Sequence, residues 1–262
     1  MSRSREDPIQ LRVDRRLFVP FAGERAPGRF VRRVNRFIVE VKLADGRRAA
    51  AHLSSTGRMR ELLVEGAPVM LLHRPDGARK TRWDLLLVRH AGAWVCVDAR
   101  RANDVAARLF AELAGVRVGR EVRCGTHRFD FALLGPFGRA WIEVKAVTLV
   151  EEGVALFPDA PTARGTRQVM GLVERRRAGE RAAILFLVQR RDASYFAPHT
   201  REDPAFAAAL AQAAGAGVWI GAFACRARED GIELERPLKV HLPGTGFLTV
   251  QEACVERIND SQ

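Results

Sequence analysis

Asp130, Glu143 and Lys145 sit inside "RFDFALLGPFGRAWIEVK", Arg128 to Lys145, where a core strand would be better served by Val or Ile. Gly135-Pro136-Phe137-Gly138 reads as a turn between two apolar strands. If Leu134 and Arg139 close that turn, Asp130 falls directly opposite Glu143, with Cβ atoms ~4.5–5.5 Å apart on one face. Period-two alternation puts Lys145 on the same face and sends Phe129, Phe131, Leu133, Ile142 and Val144 to the other. A one-residue slip would undo the arrangement. Opposed carboxylates repel, and a hard divalent cation, Mg²⁺ or Mn²⁺, relieves the repulsion. Such an ion polarises a scissile phosphate and acidifies a bound water. Lys145 would hold the attacking oxygen or offset charge on the phosphorane. Glu121, in "GREVRC" on the preceding strand, is the candidate third carboxylate. The chemistry pointed to is metal-dependent cleavage of phosphodiesters. The plain alternative is an edge hairpin with solvated ion pairs, because D…E-x-K alone is a weak signal.

The elements that must position these groups fall into two kinds. Residues 1–97 read as all-β. "RFVRRVNRFIVEVKLADGRRAAAHLSS" alternates apolar and polar residues, with Asp45-Gly46 as a hairpin turn. "APVMLLH" and "RWDLLLVRHAGAWVCVD" add strands, the latter bent around Gly92. Short strands with frequent turn signals predict a small barrel or sandwich, and the basic charge favours an oligonucleotide-binding (OB) barrel, with an SH3-like barrel as the alternative. Residues 98–240 mix helices and strands. Apolar residues at 105, 109, 110 and 113 predict a helix, and strands follow near 118–124, 127–134 and 139–149. "EEGVALFPDAPTARG" reads as a loop. Beyond it come a helix near 166–178, a strand in "RAAILFLVQR", a helix near 204–214 and strands in "GVWIGAFACRA" and "GIELERPLKV". The fold class is therefore mixed α/β, with a basic β-barrel first and an α/β layer domain second. Residues 241–262 read as a loosely held tail.

The 262-residue chain is 47% hydrophobic, enough for a sizeable core, and carries a net charge of +12. Residues 1–100 hold 21 basic against 11 acidic side chains, while residues 101–262 hold 22 against 20. That asymmetry points to a polyanionic partner for the first domain, with DNA foremost and RNA indistinguishable by charge. Arg32, Arg33 and Arg36 are candidates to track a phosphate backbone, with Phe30 or Phe37 as stacking residues or as core. Thr56, Gly57 and Arg58 could offer a backbone N–H and a guanidinium to phosphate, or simply form a tight turn. Asp159, Thr162 and Arg164 lie in a Pro–Gly segment suited to clamping phosphate. Gln189, at a strand end, could touch the site water or face solvent.

Four cysteines, at 96, 124, 225 and 254, show neither CxxC nor zinc spacing, so free thiols in a reducing cytoplasm are the simplest reading. "MSRSREDPIQLRVDRR" has no apolar signal core. Uncharged Pro204–Cys225 is rich in Ala and Gly and reads as a packed helix and buried strand rather than a membrane span.

Longer motifs carry a resemblance. "EVKAVTLVEEGVALFPDAPTARG", "NRFIVEV", "HLSSTGRMRELL", "WVCVDARRAN" and "REVRCGTHRFDF" resemble the signature of the sugar fermentation stimulation protein A family, collinear from Gly28 to Val240. The resemblance implies an N-terminal OB barrel, a C-terminal domain similar to PD-(D/E)XK nucleases, and DNA binding linked to sugar-utilisation genes. It places Asp130 at the acidic position of that pattern, Glu143 and Lys145 at its (D/E)XK, and Glu121 at an upstream acid. The literal Pro-Asp is absent, since Phe129 precedes Asp130. Ser54-Ser55-Thr56-Gly57 stands where members usually read Pro-Asn-Thr-Gly, and Gln168 stands where they have histidine. Two functions follow as expectations: a DNA-binding protein with a divalent-metal nuclease site, or a non-catalytic DNA-binding regulator that keeps the nuclease-like scaffold.

Overall fold

The computed structural model describes residues 17–74, 81–244 and 246–248. The N-terminal stretch without a signal core, Cys254 and the end of the expected tail lie outside the described residues. The strands are β1 (Leu17–Pro20), β2 (Arg25–Arg33), β3 (Ile38–Leu43), β4 (Arg48–His52), β5 (Pro68–His73), β6 (Trp83–His90) and β7 (Ala93–Cys96). After α1 (Arg100–Phe110) come β8 (Arg117–Cys124), β9 (His127–Gly135), β10 (Gly138–Val147), β11 (Leu149–Glu151) and β12 (Val154–Phe157). Then follow α2 (Ala163–Arg177), β13 (Arg181–Val188), β14 (Tyr195–Pro198), α3 (Pro204–Gly215), β15 (Trp219–Ala227), β16 (Gly231–Leu242) and β17 (Gly246–Leu248).

Strands β2 to β6 close on themselves. β2 pairs with β3 and β5, β3 with β4, and β5 with β6, all antiparallel, and β4 runs parallel to β6 to complete the ring. Closure leaves no sheet edge, and the 1-2-3-5-4-1 order is that of an OB barrel rather than an SH3-like one. The interior is apolar, with Val39, Val41, Leu53, Met59, Leu71, Leu85 and Val88 all buried. Each such side chain contributes roughly 1.5–3 kcal/mol on leaving water. Phe30 is part of this core. Gly46 (φ +87°) makes the turn between β3 and β4, a backbone state that a side chain resists.

The second domain is built on a sheet ordered β8-β9-β10-β13-β15-β16-β1, with β10, β13 and β15 parallel. Both faces are covered. α1 packs on one through Val105, Ala106, Leu109 and Phe110, against Phe131, Ile142, Leu185 and Phe223. α2 and α3 cover the other through Val169, Leu172, Phe206 and Leu210, against Trp141, Ile184, Phe186 and Ala222. β11, β12, β14, the end of β16 and β17 form a further small sheet.

Helix starts follow from local chemistry. The Thr162 hydroxyl caps α2 by accepting from the Gly165 N–H at 3.0 Å, and Asp203 caps α3 through the Phe206 N–H at 2.9 Å. Pro204 occupies the first turn of α3, where its missing N–H has no consequence. α3 and β15 therefore stand where the uncharged stretch predicts helix and strand. Among the described residues no helix is long and apolar enough to cross a membrane.

Three expectations need correction. β1 lies in the first 97 residues yet pairs with β16, Leu17 opposite Leu234, so the chain contributes to the second domain's sheet before it enters the barrel. The segment read as a loop holds β12, which pairs with β11 and β14. The tail is not loose throughout, since β16 continues to Leu242 and β17 pairs back on Val240–Leu242.

Candidate active site

The β9–β10 ladder has the predicted register, from Gly138 opposite Gly135 to Ile142 opposite Phe131. It stops there. Where Asp130 would face Glu143, the Asp130 carboxylate instead turns onto β10 and accepts the Val144 N–H at 2.8 Å. The strands part at this point, and side-chain alternation on β9 resets: Phe131 lies on the α1 side, while Phe129 lies with Trp141 on the α2 side. Phe129 is therefore buried on the face opposite to that of Phe131, correcting the single core face expected. A backbone donor beside a carboxylate is a strong interaction, and here it fixes the carboxylate at the mouth of the cleft.

Glu143 and Lys145 alternate with Ile142 and Val144 and point toward α2. Glu143 is 1% exposed. Its Oε1 accepts from Lys145 Nζ at 2.5 Å, and Lys145 Nζ also donates to Gln168 Oε1 of α2 at 2.9 Å. The other oxygen, Oε2, is buried with no hydrogen-bond partner. Burial pushes the Glu143 carboxyl up to about 7; Lys145 opposes the rise, and nearby Asp130 adds to it.

A cleft of about 370 Å³ opens over these groups, between the two domains. Asp130, Glu143 and Lys145 all line it, with Thr162, Arg164 and Gln168 on the α2 side. The barrel contributes Arg36 and the Ser54–Gly57 loop. That loop is fastened at both ends. Ser54 Oγ donates to Asp98 Oδ1 at 2.8 Å and accepts the Ala99 N–H at the start of α1. The Met59 N–H donates to Asp159 Oδ2 at 2.6 Å. A Cβ on Gly57 would stand 2.8 Å from Asp159 Oδ2, so only glycine allows this approach.

The structure does not gather every candidate. Glu121 has φ +54°, which turns it out of the β8 alternation, and its carboxylate is exposed and paired with Arg128 at 2.9 Å. The expected third carboxylate is therefore absent from the cleft. Arg32 lies on the outer barrel surface and pairs with Glu40 at 2.7 Å. Arg33 donates to the Gly57, Arg58 and Arg36 carbonyls, which makes it a brace for the loop. Arg58 spans the domains to Glu202. Arg36 faces the cleft beside the exposed Phe37 ring, and Thr56 is exposed at its rim. Gln189 does not meet solvent; it is fully buried, and neither amide atom has a partner.

Sequence reasoning missed Asn103, whose Nδ2 lies 3.4 Å from Asp130 Oδ1. Its signal was an asparagine inside a helix, where that residue is disfavoured unless its side chain is used. The sequence likewise marked Gln168 only as a replaced histidine; its contact with Lys145 emerges from the packing of α2.

Comparison with known proteins follows the same division of the chain. A model described as the SfsA N-terminal OB domain matches residues 31–97, and one described as the sugar fermentation stimulation protein RE domain matches residues 100–231. A sugar fermentation stimulation protein homolog of Alkaliphilus metalliredigens is 42% identical over 226 residues, covering 83% of this chain and 97% of that one. One from Acetivibrio thermocellus is 41% identical over 229 residues, with the same coverage. The solved structure of Pyrococcus furiosus SfsA in complex with Ca²⁺ superposes with a TM-score of 0.78 at 31% identity, covering 84% of this chain and 97% of that one.

Proposed function

The chain belongs to the sugar fermentation stimulation protein family, and from that premise we propose that it binds nucleic acid, DNA first, and hydrolyses phosphodiester bonds at the Asp130–Glu143–Lys145 cleft with a divalent metal. The observation that carries the reading is Glu143 Oε2, a carboxylate oxygen buried without a partner beside a second carboxylate. A buried carboxylate left in this state is costly unless something binds it. A hard cation fits the donor set, since Mg²⁺ and Mn²⁺ take oxygen ligands and need only one or two carboxylates beside substrate oxygens and water. Asp130 and Glu143 would hold it. The Ca²⁺ named with the Pyrococcus furiosus protein is a cation of the same ligand preference.

When bound, the metal would polarise the scissile phosphate and acidify a water. The chain's own groups do the rest. Lys145 occupies Glu143 Oε1 and leaves Oε2 to face the cation, and its ammonium offsets negative charge that builds on the phosphate. Asn103 and the Val144 N–H orient Asp130. Arg164 and Arg36, on opposite walls, meet the flanking phosphates as positioning groups.

The test is to incubate the purified protein with labelled single- and double-stranded DNA and RNA in Mg²⁺, Mn²⁺ or EDTA. Cleavage that needs metal and disappears in Glu143→Gln and Lys145→Ala supports the reading. Metal binding without cleavage of any substrate overturns it. That result selects the second reading, a non-catalytic DNA-binding regulator of sugar-utilisation genes, to which one observation lends weight: Lys145 is tied to the neutral amide of Gln168, a group that does not act as an acid or base.

A further inference from the structure

Away from the cleft, four guanidinium groups from three parts of the chain converge on one pocket. Arg89 is the last residue but one of β6, Arg191 follows β13, Arg226 is the last but one of β15, and Arg228 begins the β15–β16 turn. With Gly92, Trp94 and Glu229 they line a concavity of about 330 Å³. Like charges brought together destabilise a surface unless counter-charges answer them. Here the answer is incomplete. Arg228 is paired with Asp230 at 3.0 Å, and Arg191 reaches Glu235 only at 3.9 Å. The Arg89 guanidinium lies over the Trp94 ring at 5.2 Å, and among the described residues it has no carboxylate partner. The half-buried Arg226 side chain makes no hydrogen bond or ion pair among the described residues. Glu229, the one acid in the lining, accepts from Trp94 Nε1 at 3.2 Å. Asp230 and Glu235 thus answer two of the four cations from just outside the lining, while Arg89 and Arg226 make no ion pair among the described residues, although Glu233 stands opposite Arg226 on the β15–β16 ladder.

Its place in the fold matters. β10, β13 and β15 are parallel neighbours, and the cleft lies at the C-terminal end of β10. The ends of β13 and β15, with Arg191 and Arg226, lie along the same edge of the sheet, which is the edge where α/β domains bind ligands. Two inter-strand steps separate β10 from β15, a displacement of at least about 10 Å. Measured along the axis of a duplex, where each strand carries one charge per ~3.4 Å, that is about three base-pair steps. The barrel hairpin β6–β7 closes the pocket from the other side, so both domains contribute, as they do at the cleft.

We propose that this pocket is a phosphate subsite for the backbone of the nucleic-acid strand as it leaves the cleft, with Arg89 and Arg226 as the principal contacts. The guanidinium fork suits phosphate oxygens, and the Trp94 ring beneath the Arg89 guanidinium holds that fork in place. The proposal rests on the nucleic-acid reading of the cleft, but it does not require that the cleft cut.

The experiment is fluorescence anisotropy with the full chain in EDTA, using labelled single strands of about two and about thirty nucleotides, the first too short to span from the cleft to the pocket and the second longer than the reach of one such barrel. Each phosphate contact on a single strand adds ~0.7 to the slope of log affinity against log salt. In the Arg89→Glu/Arg226→Glu protein that slope should fall by ~1.4 for the long strand, with a tenfold or greater loss of affinity at low salt. The short strand, which fills only the cleft, should bind as before, and calorimetric Mn²⁺ binding should be unchanged. If the double variant melts earlier than the parent, Arg89→Gln/Arg226→Gln is read by the same criterion. An unchanged slope for the long strand in a variant that melts like the parent overturns the subsite. An equal loss for both strand lengths also overturns it. Absence of cleavage by the parent protein, with the slope change intact, would remove the catalytic reading and leave the subsite standing.

Discussion

Asp98, at the seam between barrel and second domain, and Glu143, in the cleft, are 0% and 1% exposed. Around Asp98, burial alone would raise the carboxyl, but Arg100, Arg101 and the Ser54 hydroxyl hold it below the usual carboxylate range. Asp84, next to it, is held down in the same way by Arg74 and Arg100. Around Glu143 burial wins, and the carboxyl rises to about 7 despite Lys145. Depth is the same in the two places, so partners make the difference. The seam is a satisfied network that ties α1 to the barrel. The cleft leaves one oxygen unanswered, and unanswered buried charge is where a ligand gains most.

The comparison breaks if the seam tolerates loss of its charge. Asp98→Ala leaves Arg100 and Arg101 without their shared acceptor, and breaking a buried pair costs ~3–5 kcal/mol. The Arg100 side chain is 37% exposed, so solvent screens part of this, and about 3 kcal/mol in urea unfolding is the expected loss. Asp98 and Asp84 have depressed pKa values in the fold, so their stabilisation is present above the unfolded range of ~4 and is lost as pH falls through the folded values. The parent should therefore lose stability in acid more steeply than the variant.

The cleft should respond with the opposite sign. Glu143 has a folded pKa raised from 4.5 to about 7, so the fold is favoured below 4.5 and loses that contribution as pH rises through 7. Glu143→Gln removes the cost, and at pH ~8 the metal-free variant should be the more stable by up to ~3 kcal/mol. Saturating Mn²⁺ should reverse the order, because ligand at about a thousandfold excess over its Kd adds ~4.1 kcal/mol to the protein that binds it. A variant less stable than the parent at that pH in EDTA would erase the distinction between seam and cleft.

How much of this could be read from sequence differs between the two regions. The barrel followed from alternation and from Asp45-Gly46, because strand period and turn chemistry are local. The β9–β10 register followed from one turn, and Ile142 opposite Phe131 agrees with it. The next pair did not follow, since nothing local announces that a carboxylate will replace a ladder bond to Val144. Glu121 failed for the same kind of reason: its left-handed backbone state breaks the period on which the placement relied. β1 on β16, Asn103 beside Asp130 and the Arg89–Arg226 pocket join residues far apart in the chain. A single sequence offers no period that connects them.

A third test asks whether the loop that joins seam to cleft is rigid. Gly57→Ala would press a methyl group to 2.8 Å from Asp159 Oδ2 and disturb the Met59 hydrogen bond. Overpacking of this size costs ~1–3 kcal/mol. In a double-mutant cycle with Asp159→Ala the two losses should add to less than their sum, since the second change removes the obstacle to the first. Full additivity in thermal or urea unfolding would mean that loop and segment act independently.

The smallest effect sharpens the comparison most. At the seam Asp98 has Arg100, Arg101 and Ser54 to share its charge, so loss of any one is cushioned by the rest. In the cleft the Lys145 ammonium has two acceptors, Glu143 and Gln168. Gln168→Ala removes a neutral acceptor, and the net loss of stability should be ~0.5–1.5 kcal/mol. Lys145 then leans on Glu143 Oε1 alone while Oε2 stays free. Calorimetric Mn²⁺ affinity should therefore change little, and any cleavage should fall, because the amine has lost the contact that fixes its direction. A large drop in Mn²⁺ affinity would place the metal in contact with Gln168 and assign the unanswered oxygen of Glu143 a different partner.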